Sequence, residues 1–214
     1  MNKSTRRNVL FWLAGLILCA LGLSLCTKSA LGLSMIGAVP YILHVWLRDH
    51  LSWFTQGVAE YVWEACLLLI MCLIVRRFRP RYLLSFGTAI LSGLCIDGWL
   101  YILGGNGAYE SMAVRVISFI AGVVITALAI ACFFRTTLPL QVYELTVTEI
   151  ADRYRKDKNK VKMGFDISML ILALALALIL TGRLTGVGLG TVLITFVNAP
   201  LIALFGKLLD RLFT

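Results

Sequence analysis

Charge is scarce in this chain. Only 14% of its 214 residues are Asp, Glu, Lys or Arg, against 60% apolar residues and a mean hydropathy of +0.89. Soluble domains carry about 45–50% apolar residues, so that class is excluded and an integral membrane protein is predicted. Cysteine occurs six times but never as C-x-x-C, and no His stands at ligand spacing from one. Disulfide and metal roles therefore give way to small buried hydrophobes.

No A-x-A cleavage site follows the basic start at Lys3, Arg6 and Arg7. Leu18 and Leu25 stand ahead of Cys19 and Cys26, where a lipoprotein signal requires a small residue. The opening apolar run reads as a retained first helix. No Walker lysine accompanies Gly186, Gly188 and Gly190, which leaves close helix packing through small residues as their role. No nucleophile, base and orienter stand together, which argues against an enzyme, and no cofactor is expected. The formal charge of +9 suggests a nucleic-acid partner at first sight. No basic helix carries interleaved aromatics, however, and the basic residues cluster between apolar runs as cytoplasmic loops do.

What the chain does contain is a repeat. Residues 14–33, A-G-L-I-L-C-A-L-G-L-S-L-C-T-K-S-A-L-G-L, return in altered form at 121–140, A-G-V-V-I-T-A-L-A-I-A-C-F-F-R-T-T-L-P-L. Ala14, Gly15, Ala20, Leu21, Leu31 and Leu33 coincide with Ala121, Gly122, Ala127, Leu128, Leu138 and Leu140. Lys28-Ser29-Ala30 coincides with Arg135-Thr136-Thr137, all at an offset of 107 residues, half the chain. The reading is a duplicated chain with repeats 1–107 and 108–214 forming one transmembrane domain, joined at the turn signal Gly104-Gly105-Asn106-Gly107. In membrane proteins this pattern points to a site where the repeats meet.

A crossing helix needs about 20 apolar residues. Six segments qualify: 9–27, 57–75, 83–104, 114–134, 163–182 and 187–206. Two more are doubtful: 29–47, interrupted by Gly32, Gly37 and Pro40, and 136–152, which carries Glu144, Glu149 and Asp152. With six spans and a cytoplasmic amino terminus, sixteen Lys and Arg fall inside and four outside; with eight the split is thirteen to seven. The six-span topology is therefore preferred, with both termini cytoplasmic. Three spans per half make the repeats inverted. The fold expected is an all-α polytopic membrane helix bundle of two three-span inverted repeats, each with an additional re-entrant or short helix. Broken backbone at membrane depth requires a cavity beside it; the competing arrangement has 29–47 spanning and 136–152 lying at the interface.

The paired elements K-S-A-L-G-L-S and R-T-T-L-P-L-Q place Gly32 and Pro139 where one helix ends or the next opens. A helix opening there presents amides and a partial positive charge. Ser34, Gln141, Glu144, Lys28 and Arg135 are the candidate substrate-binding residues, with snorkelling to the interface as the alternative for the two basic ones. Intramembrane acids are costly and usually functional, so Glu64, Asp97 and Asp166 are the candidate coupling residues. Glu60 lies one turn before Glu64, and Asp166 reads as the equivalent of Glu64 in the second half.

The stretches A-L-G-L-S-M-I-G-A-V-P-Y-I-L at 30–43, S-F-G-T-A-I-L-S-G-L-C-I-D at 85–97, L-P-L-Q-V-Y-E-L at 138–145, V-K-M-G-F-D at 161–166 and G-L-G-T-V-L-I-T-F at 188–196 resemble the YczE/YyaS/YitT-like bacterial membrane proteins. The likeness is greatest to the YczE and YyaS branch. Met35 after Ser34 and Tyr143 before Glu144 depart from its pattern. The resemblance places Ser34, Pro40, Asp97, Glu144 and Asp166 within the family pattern, and it implies a bacterial inner-membrane protein of transporter type. The function expected is a secondary transporter or permease for a small polar solute, with proton coupling through a carboxylate. The alternative is a non-transporting module, a substrate-capture subunit or regulatory partner docking through the loop Arg153 to Lys162. Beyond the bilayer and a solute, a homodimer or a membrane partner is left open.

Overall fold

The computed structural model of the chain describes residues 3–105 and 107–213, and among them it holds eight α-helices and no strand. They are α1 (Lys3–Ser29), α2 (Met35–Leu47), α3 (Gln56–Val75), α4 (Tyr82–Ile102), α5 (Met112–Phe133), α6 (Val142–Tyr154), α7 (Lys158–Leu176) and α8 (Leu189–Phe213), with a π-helical turn at Ala177–Thr181 after α7. Two pairs of helix starts recur at the 107-residue offset. Both α2 and α6 have 13 residues and begin 107 positions apart, as do α4 and α8. Gly104 and Gly105 turn the chain at φ of 86° and 83°; Asn106 of the junction and the outer limits of the repeats, Met1 and Thr214, lie outside the described residues.

Six helical stretches are long and apolar enough to cross a bilayer: Thr5–Ser29, Gln56–Val75, Tyr82–Ile102, Met112–Phe133, Lys160–Thr181 and Leu189–Leu212. They match the six segments expected, with limits moved by a few residues. The chain is a multi-pass α-helical membrane protein, since a helix satisfies its backbone internally where no water can do so. At 1.5 Å per residue, α2 and α6 each reach only about 20 Å, well short of a hydrocarbon core of about 30 Å.

The first break is sharper than the sequence suggests. It is confined to residues 30–34, where Ala30 and Gly32 take φ of 50° and 135°. Gly37 and Pro40 lie inside α2, because a proline in the second turn removes a single donor and leaves the rest of the ladder intact. In the second half α6 opens at Val142, three residues beyond Pro139.

The helices gather into two compact units. The first combines α1, the end of α4 from Cys95, α5 and α8. Here α1 and α5 cross in opposite directions. Thr136 Oγ1 donates to the Asn8 carbonyl at 3.1 Å near one end, Gly22 meets Gly122 in the middle, and Arg115 Nε reaches the Ser29 carbonyl at 2.6 Å at the other. A Cβ on Gly122 would stand 2.8 Å from the Gly22 carbonyl and 2.7 Å from Cys26 Sγ, so only glycine allows this approach. Phe11, Ala131, Cys132 and Leu209 fill the space beside it.

The second unit combines α2, α3, the start of α4, α6 and α7. Its pairing is reciprocal between the halves: α2 packs on α7, and α6 packs on α3. Leu67, Met71, Tyr82, Val142, Tyr143 and Met169 form its apolar core.

The two chain breaks are seated alike, each within its own unit. Leu31 accepts from the Gly190 amide at 3.0 Å, and a Cβ on Gly32 would meet the Thr191 nitrogen at 2.6 Å. Thr88 Oγ1 donates to the Pro139 carbonyl at 3.2 Å. Thr88, in the second turn of α4, and Gly190, in the first turn of α8, thus each bond to a chain break of the opposite half.

Candidate functional site

The polar centre of the second unit is built where α6 begins against α3. Thr55 caps α3 by accepting from the Val58 amide at 3.2 Å, which fixes the helix start. Glu60 and Glu64 then fall one turn apart on a single face, 4% and 0% exposed. Gln141 occupies the N-cap position of α6 without capping it; its Nε2 instead donates to Ser92 Oγ on α4 at 3.0 Å. The first-turn amides are left for another acceptor, and the Val142 amide donates to Glu64 Oε2 at 3.0 Å. A carboxylate at the positive end of a helix is favourably placed. Tyr143 Oη donates to Glu60 Oε1 at 3.3 Å.

Each carboxylate therefore spends one oxygen on α6. The other oxygens, Glu60 Oε2 and Glu64 Oε1, are buried and meet no donor among the described residues, and the buried Trp63 Nε1 between them in sequence meets no acceptor. Such groups carry a desolvation cost. Glu144 is half-buried and lies within electrostatic reach of Glu64 on one side and of Lys162 and Asp166 on the other. Asp166 is held by Lys162 at 3.4 Å and keeps 23% of its side chain exposed. It is thus unlike Glu64 in environment, and the equivalence read from sequence does not extend to their surroundings.

Of the residues singled out in the sequence, Glu64, Gln141, Glu144 and Asp166 belong to this second unit, while Lys28, Ser34, Asp97 and Arg135 belong to the first. Ser34 immediately precedes α2, and Asp97 is half-buried on α4. Lys28 and Arg135, equivalent in the repeat, both act at helix ends. Lys28 Nζ donates to the Gly105 carbonyl at 3.0 Å and stands 4.8 Å from the Tyr109 ring centre. Arg135 donates to the Ala131 carbonyl at 2.8 Å, to the Gly206 carbonyl, and to Asp210 at 2.6 Å. Arg135 thus bonds a carbonyl of the helix it follows, whereas Lys28 ties the end of α1 to the turn after α4.

Two features escape the sequence. Glu60 is passed over as a neighbour of Glu64, though the four-residue spacing was its signal. Glu149 is the other: its carboxylate, 5% exposed, accepts from Tyr82 Oη at 2.7 Å, from Arg79 at 3.3 Å and from Arg81. Burial alone would raise its pKa, but the Tyr82 hydroxyl and the two guanidinium groups outweigh that and hold it below the usual glutamate range. The run R-R-F-R-P-R at 76–81 supplies the two arginines and ties the α3–α4 turn to α6.

The arrangement defines a class: a multi-pass membrane protein with two buried glutamates on a spanning helix, held by a short helix too brief to span. Residues 6–207 match a family of unknown function, DUF6198, and the chain belongs to that family. It is also 28% identical over 144 residues to the uncharacterized protein YyaS of Bacillus subtilis (strain 168), covering 65% of this chain and 67% of that one. No solved structure matches the chain.

Proposed function

We propose that the chain is a secondary transporter or permease of the bacterial inner membrane for a small polar solute, with both termini cytoplasmic. The observation that carries this reading is the pair Glu60 and Glu64: buried carboxylates on a spanning helix, each with an oxygen that no donor among the described residues satisfies. Ion pairs that serve stability alone pair their charges, whereas unpaired intramembrane acids are characteristic of solute and proton pathways. The antiparallel crossing of α1 and α5 and the reciprocal pairing of α2 with α7 and α6 with α3 support two inverted repeats, the architecture on which alternating access is commonly built. In this reading α2 and α6 are the re-entrant helices, Gln141, Glu144 and Glu64 face the solute, and Asp166 relays charge toward the cytoplasm. Lys28 and Arg135 are assigned to structural bonds with chain carbonyls.

The second reading is a non-transporting module, favoured by the exposed basic stretch Arg153, Arg155, Lys156, Lys158, Lys160 and Lys162, a surface fit for a partner. Flux into proteoliposomes separates the two. Uptake of any solute from a polar panel by the purified chain alone supports transport; uptake only when a second membrane protein is co-reconstituted supports the module.

A further inference from the structure

We infer that Glu60 and Glu64 form a binding site for a small monovalent cation, which enters in exchange for a proton. The inference rests on the transport reading and specifies the charge of what is carried.

It starts from which atoms have partners. Glu60 Oε1 is taken by Tyr143 and Glu64 Oε2 by the Val142 amide, while Glu60 Oε2 and Glu64 Oε1 remain without donors at 4% and 0% residue exposure. The two side chains stand one turn apart and interact electrostatically. Two adjacent carboxylates in a low-dielectric site repel strongly unless a positive charge lies between them. No Lys or Arg among the described residues forms an ion pair with either one. From α6 they face Tyr143 and Glu144, a donor and a further acid. On α2, which also packs against α3, the titratable groups are Tyr41 and His44, and His44 Nδ1 is bonded to the Phe54 carbonyl at 2.8 Å. On the start of α4, Ser92 is engaged by Gln141, and Tyr82 is bonded to Glu149. Lys162 on α7 is 3.4 Å from Asp166.

The missing positive charge must therefore come from outside the pair. A proton on one of the two carboxyls removes the repulsion, and a bound cation offsets it equally well. One proton leaves for each cation that binds, so the charge on the pair stays the same and the desolvated site is never left doubly negative. Charge sets the class of ion: exchange for a single proton leaves the pair's charge unchanged only when the cation is monovalent. Close packing about the pair, with Val142 and Tyr143 at 0% and 2% exposure, limits its size.

The test is proton release. The purified full chain in detergent, weakly buffered near neutrality with a pH indicator, is titrated with sodium, potassium, methylammonium and guanidinium chlorides, with choline chloride as the bulky control. A saturable release of protons is expected with at least one of the four small cations and not with choline, accompanied by a raised unfolding temperature. Glu60→Gln and Glu64→Gln are each expected to abolish the release. Absence of release from the wild-type chain with all four cations overturns the inference without recourse to any variant. Release that persists in both variants overturns it too, by assigning the proton to other groups. The outcomes also separate this site from the transport reading. Flux of a neutral or anionic solute by a wild-type chain that releases no protons to any of the four cations ends the cation site and keeps transport. Intact cation-for-proton exchange without flux into proteoliposomes ends transport and keeps the site.

Discussion

The backbone amide of Val142 donates to the Glu64 carboxylate at 3.0 Å, joining a short helix to a spanning one across 78 residues of sequence. The bond explains how α6 begins at this position even though Gln141, its N-cap residue, turns its side chain to Ser92. The cap comes from another helix.

Removing that cap has a predictable cost. Glu64→Ala deletes the acceptor for the Val142 amide and opens a buried space, a loss of about 1–3 kcal/mol for the stranded donor alone. Glu64→Gln keeps a carbonyl oxygen in place and removes the buried charge, so its cost is smaller. Unfolding temperatures in one detergent are expected to fall in the order wild type and Gln variant first, Ala variant clearly last. Equal temperatures for Gln and Ala would show that the amide is served by something other than Glu64.

The α1–α5 crossing gives a sharper prediction. Gly22 and Gly122 bring two backbones together so closely that a Cβ at either position meets the other helix's backbone or side chains. Gly122→Leu must push the helices apart, and overpacking of this kind costs about 1–3 kcal/mol or more. The same substitution at Gly98, where a Cβ would meet nothing within 4 Å, serves as the control. The prediction is a lowered unfolding temperature and poor detergent extraction for Gly122→Leu, with Gly98→Leu close to wild type.

Much of this architecture was readable from residues alone. Six spans follow from runs of apolar residues longer than the bilayer needs, and the 107-residue offset carries through to the identical lengths and spacing of α2 and α6. The break after α1 was legible because Gly32 is a residue whose positive φ only glycine takes readily. Pro40 misled, since α2 continues through it at the sixth position. Site composition was legible only in part. Glu64, Gln141 and Glu144 announce themselves as polar residues in apolar surroundings, but hydropathy does not say which charges find partners. Lys28 and Arg135 stand out as cations beside apolar helices, but their bonds to carbonyls of the chain cannot be read from residue type. Glu149 looked like one more acid on an amphipathic helix, yet it collects two arginines from a segment about 70 residues away.

That cluster makes stability depend on pH. The Glu149 carboxyl has its pKa held below the ordinary value by Tyr82, Arg79 and Arg81 against the effect of burial. A group whose folded pKa is depressed contributes stability that is fully present above its unfolded pKa, about 4.3 for glutamate, and loses it as pH falls through the lower folded value. The wild-type chain is therefore expected to unfold at a higher temperature than Glu149→Gln at pH 6–7. The gap should narrow steadily below about pH 4, as the wild-type carboxyl takes up its proton. A gap that stays constant down to pH 3, or widens, would contradict the ion-pair account.

Arg135 and Gln141 separate structure from solute recognition. Arg135 binds the Ala131 and Gly206 carbonyls and Asp210, and Asp210 is 67% exposed, so the ion pair itself is screened and worth little. The carbonyl bonds are the stabilising part, roughly 1.5–3 kcal/mol each for a charged donor. Arg135→Gln should thus lower the unfolding temperature while leaving the KM of any reconstituted flux unchanged, because the side chain completes a helix and touches no solute. Gln141→Ala should do the reverse. Its amide donates to Ser92 beside the Glu60 and Glu64 centre, and its loss removes one hydrogen bond of about 1 kcal/mol but alters the polar wall, so KM rises several-fold with little change in unfolding temperature. A KM shifted by Arg135→Gln and untouched by Gln141→Ala would move the solute to the first unit, at the end of α5, and return Arg135 to the role of ligand.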